Sequence, residues 1–214
     1  EKRLEKISAM RTVSSPRAKG MVAVVPLIGT LCPRADSLQE TSGVMSVERF
    51  TKNFDAAMND DSVGAVVLDV DSPGGSVYGI RECSDHIYAM RGKKPMMAVA
   101  NHMACSAAYW IASAANELIC TPSGEVGSVG VLAIHFDQSK MMEDAGVKPT
   151  IVTSGKYKAE FNELEPLAKD SVNYLQKQCD DVYETFTSDL ARNRGTTKAK
   201  VKADYGEGRC LMAE

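Results

Sequence analysis

Several patterns that mark common function classes are missing from this sequence. Neither Gly-x-Gly-x-x-Gly nor Gly-x4-Gly-Lys-Ser/Thr occurs, so the two usual ways of cradling nucleotide phosphates at a helix N-terminus are disfavoured. Gly-x-Ser-x-Gly, the nucleophile elbow of α/β-hydrolases, is absent as well. Histidine is scarce, with only His86, His102 and His135, and the six cysteines at 32, 83, 105, 120, 179 and 210 form no Cys-x-x-Cys pair. The cysteines fall mostly inside apolar runs. They read as reduced core cysteines of a cytosolic compartment, neither a disulfide framework nor a zinc site, and no metal or cofactor is expected. Basic excess is lacking too: the formal net charge is −3, which leaves no footprint for nucleic acid. No secretory leader is visible, and no run approaches the about 18 apolar residues of a membrane span, so no membrane partner is expected.

What is present suits one folded domain, since 44% of the 214 residues are apolar and can bury a full core. Residues 1–20 are charged and read as an N-terminal arm; residues 21–214 read as a single domain. The Lys-rich stretches 2–19 and 198–202 read as solvated tails. Met21 to Leu27 is a β-rich run, and 33–45 is polar, turn-rich and expected to be a flexible surface segment. Ser46 is placed to cap a helix with Val47, Phe50, Phe54 and Met58 on one face. Gly64 to Val70 is a nearly continuous apolar strand of the type found in parallel sheets covered on both sides. A helix presenting Val77, Ile80, Cys83, Ile87 and Met90 follows, then a strand from Met96 to Ala100. Glu117–Cys120, Gly127–Ile134 and Thr150–Thr153 read as further short strands, and Gln138–Ala145 as a helix closed by Gly146. A long amphipathic helix over about 167–193 carries Leu167, Val172, Leu175, Cys179, Val182, Phe186 and Leu190, a stripe suited to a core or a subunit interface. Alternation of strand and helix gives an α/β architecture with a largely parallel sheet and right-handed crossovers.

The chemistry gathers around Asn101-His102-Met103-Ala104-Cys105-Ser106-Ala107-Ala108-Tyr109, a buried strand turning into a helix of small residues with Ser106 in its first turn. A hydroxyl there lies near free backbone N–H groups and can serve as a nucleophile. Alternatively, the small residues merely allow close packing, and Ser106 bonds its own backbone. Asp71-Ser72-Pro73-Gly74-Gly75 ends the preceding strand, where N–H groups of residues without Cβ can bind an oxyanion; an ordinary turn is the other reading.

In order and separation, Val67-Leu68-Asp69-Val70-Asp71-Ser72-Pro73-Gly74-Gly75, Ala104-Cys105-Ser106-Ala107-Ala108-Tyr109, Val126-Gly127-Ser128-Val129-Gly130-Val131 and Ser154-Gly155-Lys156-Tyr157-Lys158 resemble the signal-peptide-peptidase A family of serine proteases. The resemblance in order and separation runs along residues 21 to 210. The resemblance implies the ClpP/crotonase-like spiral α/β fold. Ser-Ala-Ala-Tyr at the nucleophile, a histidine at His135 and Pro-Leu before Gly29 look most like the capsid-assembly proteases of tailed phages. Family members usually continue into a Gly-Leu-rich closing segment, so the domain is expected to lack its C-terminal closing segment.

By resemblance, the implied machinery is a Ser–Lys dyad: Ser106 as nucleophile, Lys158 as general base and Ser128 as the hydroxyl orienting the lysine. The amides of Ala107 and of either Gly74 or Gly75 form the oxyanion hole. A lysine accepts a proton only when neutral, a form that burial in apolar surroundings favours. Lys156 competes for the role, sharing a face with Lys158 on an extended segment. His135 with Asp137 could instead supply a Ser-His-Asp arrangement, while His86 and His102 read as structural. The implied activity is that of an ATP-independent serine endopeptidase. Its expected partners are protein or peptide substrates, among them capsid scaffold and portal proteins, and further copies of itself in a homo-oligomer. It is expected to work in the cytoplasm of the infected bacterial host and inside the phage prohead. Degradation of signal peptides and a non-catalytic scaffold role remain the alternatives.

Overall fold

A computed structural model describes residues 20–213. The expected N-terminal arm therefore lies, apart from Gly20, outside the described residues. The chain divides into two compact units, one running to Val126 and taking in the C-terminal end from Met212, the other being Gly127–Leu211.

The first unit opens with β1 (Met21–Ile28) and β2 (Thr30–Cys32), followed by α1 (Ser37–Thr41), β3 (Val44–Ser46) and α2 (Val47–Asn59). After these come β4 (Val63–Ser72), α3 (Ile80–Ala89), β5 (Met96–Cys105), α4 (Ala107–Ser113) and β6 (Glu117–Cys120). β1 pairs with β4, β4 with β5 and β5 with β6, all parallel, through Val25↔Leu68, Leu68↔Ala98 and Ala98↔Leu118. The fold is thus the expected mixed α/β type with a mostly parallel sheet. Segment 33–45, expected as a flexible loop, instead supplies α1 and part of β3, which pairs with β2 in a separate small parallel sheet.

Local sequence accounts for much of this unit. Ser46 accepts a hydrogen bond from the Arg49 N–H at 3.2 Å, and Val47, Phe50, Phe54 and Met58 are all buried. Such a cap stabilises a helix by about 1 kcal/mol, and burying each large side chain contributes about 1.5–3 kcal/mol. In α3, Ile80, Cys83 and Ile87 are buried, but Val77 precedes the helix and is exposed, and Met90 follows it half-buried. Burial pushes the Cys83 thiol up to about 12. None of the six cysteines forms a disulfide, yet only Cys83 and Cys105 are core residues; Cys210 is exposed.

Period-two burial places Val66, Leu68, Val70 and Ser72 on the inner side of β4. The opposite side is less covered than the apolar run suggests: Val67, Asp69 and Asp71 are half-buried, and Val22, Val24 and Ile28 of β1 are exposed.

β7 (Glu125–Gly127) spans the sequence boundary at Val126 and Gly127, and the chain continues with α5 (Ser139–Asp144), α6 (Lys169–Asn193) and α7 (Lys198–Asp204) before β8 (Cys210–Met212). The strand expected over 127–134 is not formed beyond Gly127, because Gly127 and Ser128 both adopt positive φ, 121° and 52°. No strand forms over 150–153 either: Val152 is 91% exposed, and an apolar alternation with no ladder to join does not make a strand. The α6 stripe is buried only towards its C-terminal end, at Phe186 and Leu190, while Val172 is exposed. Residues 198–202 are not a tail. Thr197 caps α7 by accepting the Lys200 N–H, Val201 is buried, and Lys198 and Lys202 both pair with Glu184. Hydrogen bonds from Lys198 and then Lys202 hold the Glu184 carboxyl below its usual range.

Candidate active site

Three features fix the end of β4. The buried Ser72 hydroxyl donates to the Gly29 carbonyl at 2.6 Å and accepts the Gly74 N–H at 3.1 Å. The Leu31 N–H donates to the Gly74 carbonyl at 2.8 Å, and the Ser76 N–H returns to the Leu31 carbonyl at 2.9 Å. That bridge leaves the Gly75 N–H outside the ladder, whereas the Gly74 N–H is already committed to Ser72. A Cβ on Gly75 would lie 2.1 Å from the Leu31 carbonyl oxygen, so only glycine permits this approach. The pair is therefore more than an ordinary strand-to-helix turn, and α3 starts only at Ile80.

β5 runs to Cys105, five residues past its expected end, and the turn into α4 is compressed into Ser106 alone. Ser106 thus precedes the helix instead of lying in its first turn. Its backbone sits at φ 52°, ψ −124°, outside the regions that L-residues favour. Its side chain makes no capping hydrogen bond to α4. All seven residues of α4 are buried. A Cβ placed on Gly74, at φ +96°, would lie 2.7 Å from Ser106 Cβ, 2.8 Å from the Cys105 carbonyl oxygen and 3.0 Å from the Ala107 nitrogen. Gly74 therefore approaches Ser106 and the start of α4 too closely for any side chain to stand between them.

Two supporting residues carry roles that the motifs did not assign. Ser72 lies within the Asp71-Ser72-Pro73-Gly74-Gly75 motif without a role of its own; its place in the inward phase of Val66, Leu68 and Val70 is the signal that could have supplied one. Arg91 is the other. Its Nε donates to the Ala114 carbonyl at 2.7 Å, and its Nη2 donates to Ser113 at 3.1 Å and Ala115 at 2.6 Å. The guanidinium, stacked 4.4 Å over the Tyr88 ring, therefore satisfies the carbonyl end of the helix that Ser106 precedes. No local pattern announces a cap arriving from 22 to 24 residues away in sequence.

The other expected residues belong to the second unit. Ser128 is half-buried with φ 52°, and its N–H donates to the Arg209 carbonyl at 2.8 Å. Lys158 closes a turn, its N–H donating to the Gly155 carbonyl at 3.1 Å, with its side chain exposed. The turn replaces the extended segment on which Lys156 and Lys158 were expected to share a face. Lys156 Nζ lies 4.7 Å over the Tyr157 ring, and hydrogen bonding to Tyr157 holds its ammonium pKa above the usual value, the wrong direction for a base.

The histidines are each engaged. His135 donates from Nε2 to the Asn162 carbonyl at 2.8 Å, while Asp137 accepts the Ser139 N–H at 2.9 Å. Hydrogen bonding from Ser139 holds the Asp137 carboxyl below its usual range. In a Ser-His-Asp triad Nε2 faces the serine and the aspartate holds Nδ1, so neither group is committed in that way here. His86 meets Asp55 at 2.5 Å between α3 and α2, and His102 meets Asp71 at 3.0 Å between β5 and β4.

Among the described residues, no helix is long and apolar enough to cross a membrane. A family model described as Peptidase family S49 matches residues 89–214. The chain is 34% identical over 174 residues to the head-tail preconnector protein GP5 of Enterobacteria phage P21, covering 81% of this chain and 35% of that protein. It is 34% identical over 185 residues to the capsid assembly protease C of Escherichia phage lambda, covering 86% and 42%. The chloroplastic serine protease SPPA of Arabidopsis thaliana is 22% identical over 199 residues, covering 92% and 29%. The chain thus spans less than half the length of these relatives.

Proposed function

The chain belongs to peptidase family S49, and we propose that it is an ATP-independent serine endopeptidase in which Ser106 is the nucleophile and Lys158 the general base. One observation carries this reading: a non-glycine residue held at φ 52°, ψ −124° between a buried strand and a buried helix, with its hydroxyl free of capping and a glycine pressed against it. Such backbone strain persists only where the surroundings over-determine it, and it concentrates at functional sites.

In this mechanism Lys158 takes the proton from Ser106 as Oγ attacks the scissile carbonyl carbon. The ammonium so formed then gives that proton to the leaving nitrogen as the C–N bond breaks. Water repeats the sequence on the acyl-enzyme, releasing the second product and restoring both side chains. Charge on the carbonyl oxygen is met by the N–H groups of Ala107 and Gly75, the Gly74 N–H being taken by Ser72. Ser128 orients the lysine amine. Lys158 is exposed in the single chain, so cover from substrate or from a second copy is part of the reading.

The names of the two phage relatives support protein substrates in capsid assembly; scaffold, capsid and portal proteins, cut in the infected host and within the prohead, are the substrates in this reading. Similarity to the plastid serine protease keeps general peptide degradation, including that of signal peptides, as the second reading.

A serine-directed phosphonate should label Ser106 and no other serine, and Ser106→Ala should lose both the label and all cleavage of a scaffold-protein substrate. Retained turnover in that variant would sink the assignment. A wild-type protein that neither labels nor cleaves would favour the scaffold role.

Assembly into a closed homo-oligomer is supported by exposed apolar side chains in the second unit: Leu132 is 78% exposed, Ile134 68%, Phe136 64% and Val152 91%. Light scattering should report a single species of several copies. A stable monomer with full activity at high concentration would contradict it.

A further inference from the structure

The approach to Ser106 along β5 contains a register break. Val70 of β4 faces Ala100 of β5, whereas Ser72 faces Ala104. Two steps along β4 are therefore matched by four along β5, and the surplus pair falls within residues 101–103. Burial records the same event. Met96, Ala98 and Ala100 point inward with period two, His102 continues that phase but is exposed, and Ala104 takes the inward place opposite Ser72. Bulges re-aim whatever follows them. Without the surplus pair, His102 would face Ser72, and Ser106 would be carried about 6–7 Å beyond Gly74.

Apolar packing does little to hold the bulge, since Asn101 and His102 are both exposed. It is tied by side chains instead. Asn101 Nδ2 donates to Asp69 Oδ1 at 3.3 Å, and His102 Nδ1 lies 3.0 Å from Asp71 Oδ2, a contact in which a carboxylate accepts from a ring N–H. On the other flank, Thr121 Oγ1 donates to the Asn101 carbonyl at 2.6 Å. Asp69 and Asp71 are two residues apart on one face of β4. β4 thus presents two acceptors at the spacing needed to hold successive side chains of the bulge, immediately before each strand delivers its part of the site.

We propose that the His102–Asp71 pair, seconded by Asn101–Asp69, is a brace that fixes the β5 bulge and thereby positions Ser106 against Gly74. The proposal rests on Ser106 being the nucleophile, and His102 is in this sense a positioning residue. Half-exposed pairs of this kind add little to global stability. Small displacements of a nucleophile, by contrast, are costly in rate. The brace should therefore register in kcat and acylation, not in Tm.

The test compares His102→Ala, Asp71→Ala, the double variant and His102→Gln with the wild type. Measured quantities are the phosphonate labelling rate at Ser106, kcat, KM and Tm. Either alanine variant should stay folded and lose about tenfold to a hundredfold in labelling rate and kcat, with KM unchanged. The double variant should lose no more than the worse single one, because the two residues act as one unit. His102→Gln keeps an N–H aimed at Asp71 and should recover most of the loss. Folded alanine variants with wild-type labelling and kcat would overturn the brace, as would a change confined to KM or fully additive losses. Ser106→Ala run in parallel separates the two claims. If it still reacts, the nucleophile assignment fails and the brace falls with it; if it is inert while His102→Ala is unaffected, the brace alone fails.

Discussion

Lys158→Ala should lower kcat on the order of 10⁴- to 10⁶-fold while leaving the protein folded, as when a member of a nucleophile–base unit is removed. The side chain is exposed, so its truncation creates no cavity and little change in Tm is expected. Lys158→Arg is the sharper variant. A guanidinium keeps the positive charge and the donors but cannot be deprotonated in a protein, so it should be as inactive as alanine. If Lys158 merely neutralised a substrate carboxylate, arginine would restore activity. Ser128→Ala should fall between wild type and Lys158→Ala, because it removes only orientation. His135→Ala should cost far less, since its Nε2 is spent on the Asn162 carbonyl. An active Lys158→Ala enzyme beside an inactive His135→Ala enzyme would transfer the chemistry to histidine.

Gly74→Ala should be nearly as damaging, for a different reason. The added methyl group has no free direction: Ser106 Cβ, the Cys105 carbonyl and the Ala107 nitrogen all lie within 3.0 Å of it. Two of the three neighbours are backbone, so the turn itself must move, and φ +96° adds strain of about 1–3 kcal/mol for a residue with Cβ. Displacing an oxyanion donor alone costs about 10²–10³ in kcat. With the nucleophile displaced as well, the loss should exceed that range, and the labelling rate should fall in step. Gly75→Ala makes the matched comparison. Its methyl group would strike Leu31 backbone atoms at 2.1 and 2.6 Å, so it should lower Tm strongly through the β2 bridge. Gly74→Ala that is folded and fully active would remove this turn from the site.

Legibility in the sequence followed the range of the forces involved. Ser46 with Val47, Phe50, Phe54 and Met58 was readable because cap and stripe act within one helix. The strand expected over Gly64 to Val70 was readable because its apolar run is nearly continuous, and it forms as Val63–Ser72. The strands expected near 127–134 and 150–153 failed because a strand requires a partner, and periodicity says nothing about whether one is within reach. The end of β5 was misplaced because Asn101 and His102 look like a turn. Only across the sheet, opposite Asp69 and Asp71, do they become a bulge in a continuing strand. For the candidate site, motifs named Gly74, Gly75, Ser106 and Ala107, whereas the bracing contacts of Ser72 and Arg91 join segments far apart in the chain and follow no local pattern.

The seven-residue α4 carries a lesson for transplantation. At about 10 Å, a helix of this length has too few internal bonds to persist alone in water. It exists here because it is wholly buried and its carbonyl end is held by Arg91. The stretch from Ala104 to Ser113 therefore contains the whole motif around the proposed nucleophile and almost none of its geometry. Grafted onto another scaffold by itself, it would be an ordinary flexible peptide with an unremarkable serine. The smallest portable unit would also have to bring Ser72 with its two glycines and a cation reaching the far end of the helix. By that measure the proposed nucleophile would be a property of three distant segments, and a descendant that lost any one of them could keep the signature sequence while losing its geometry.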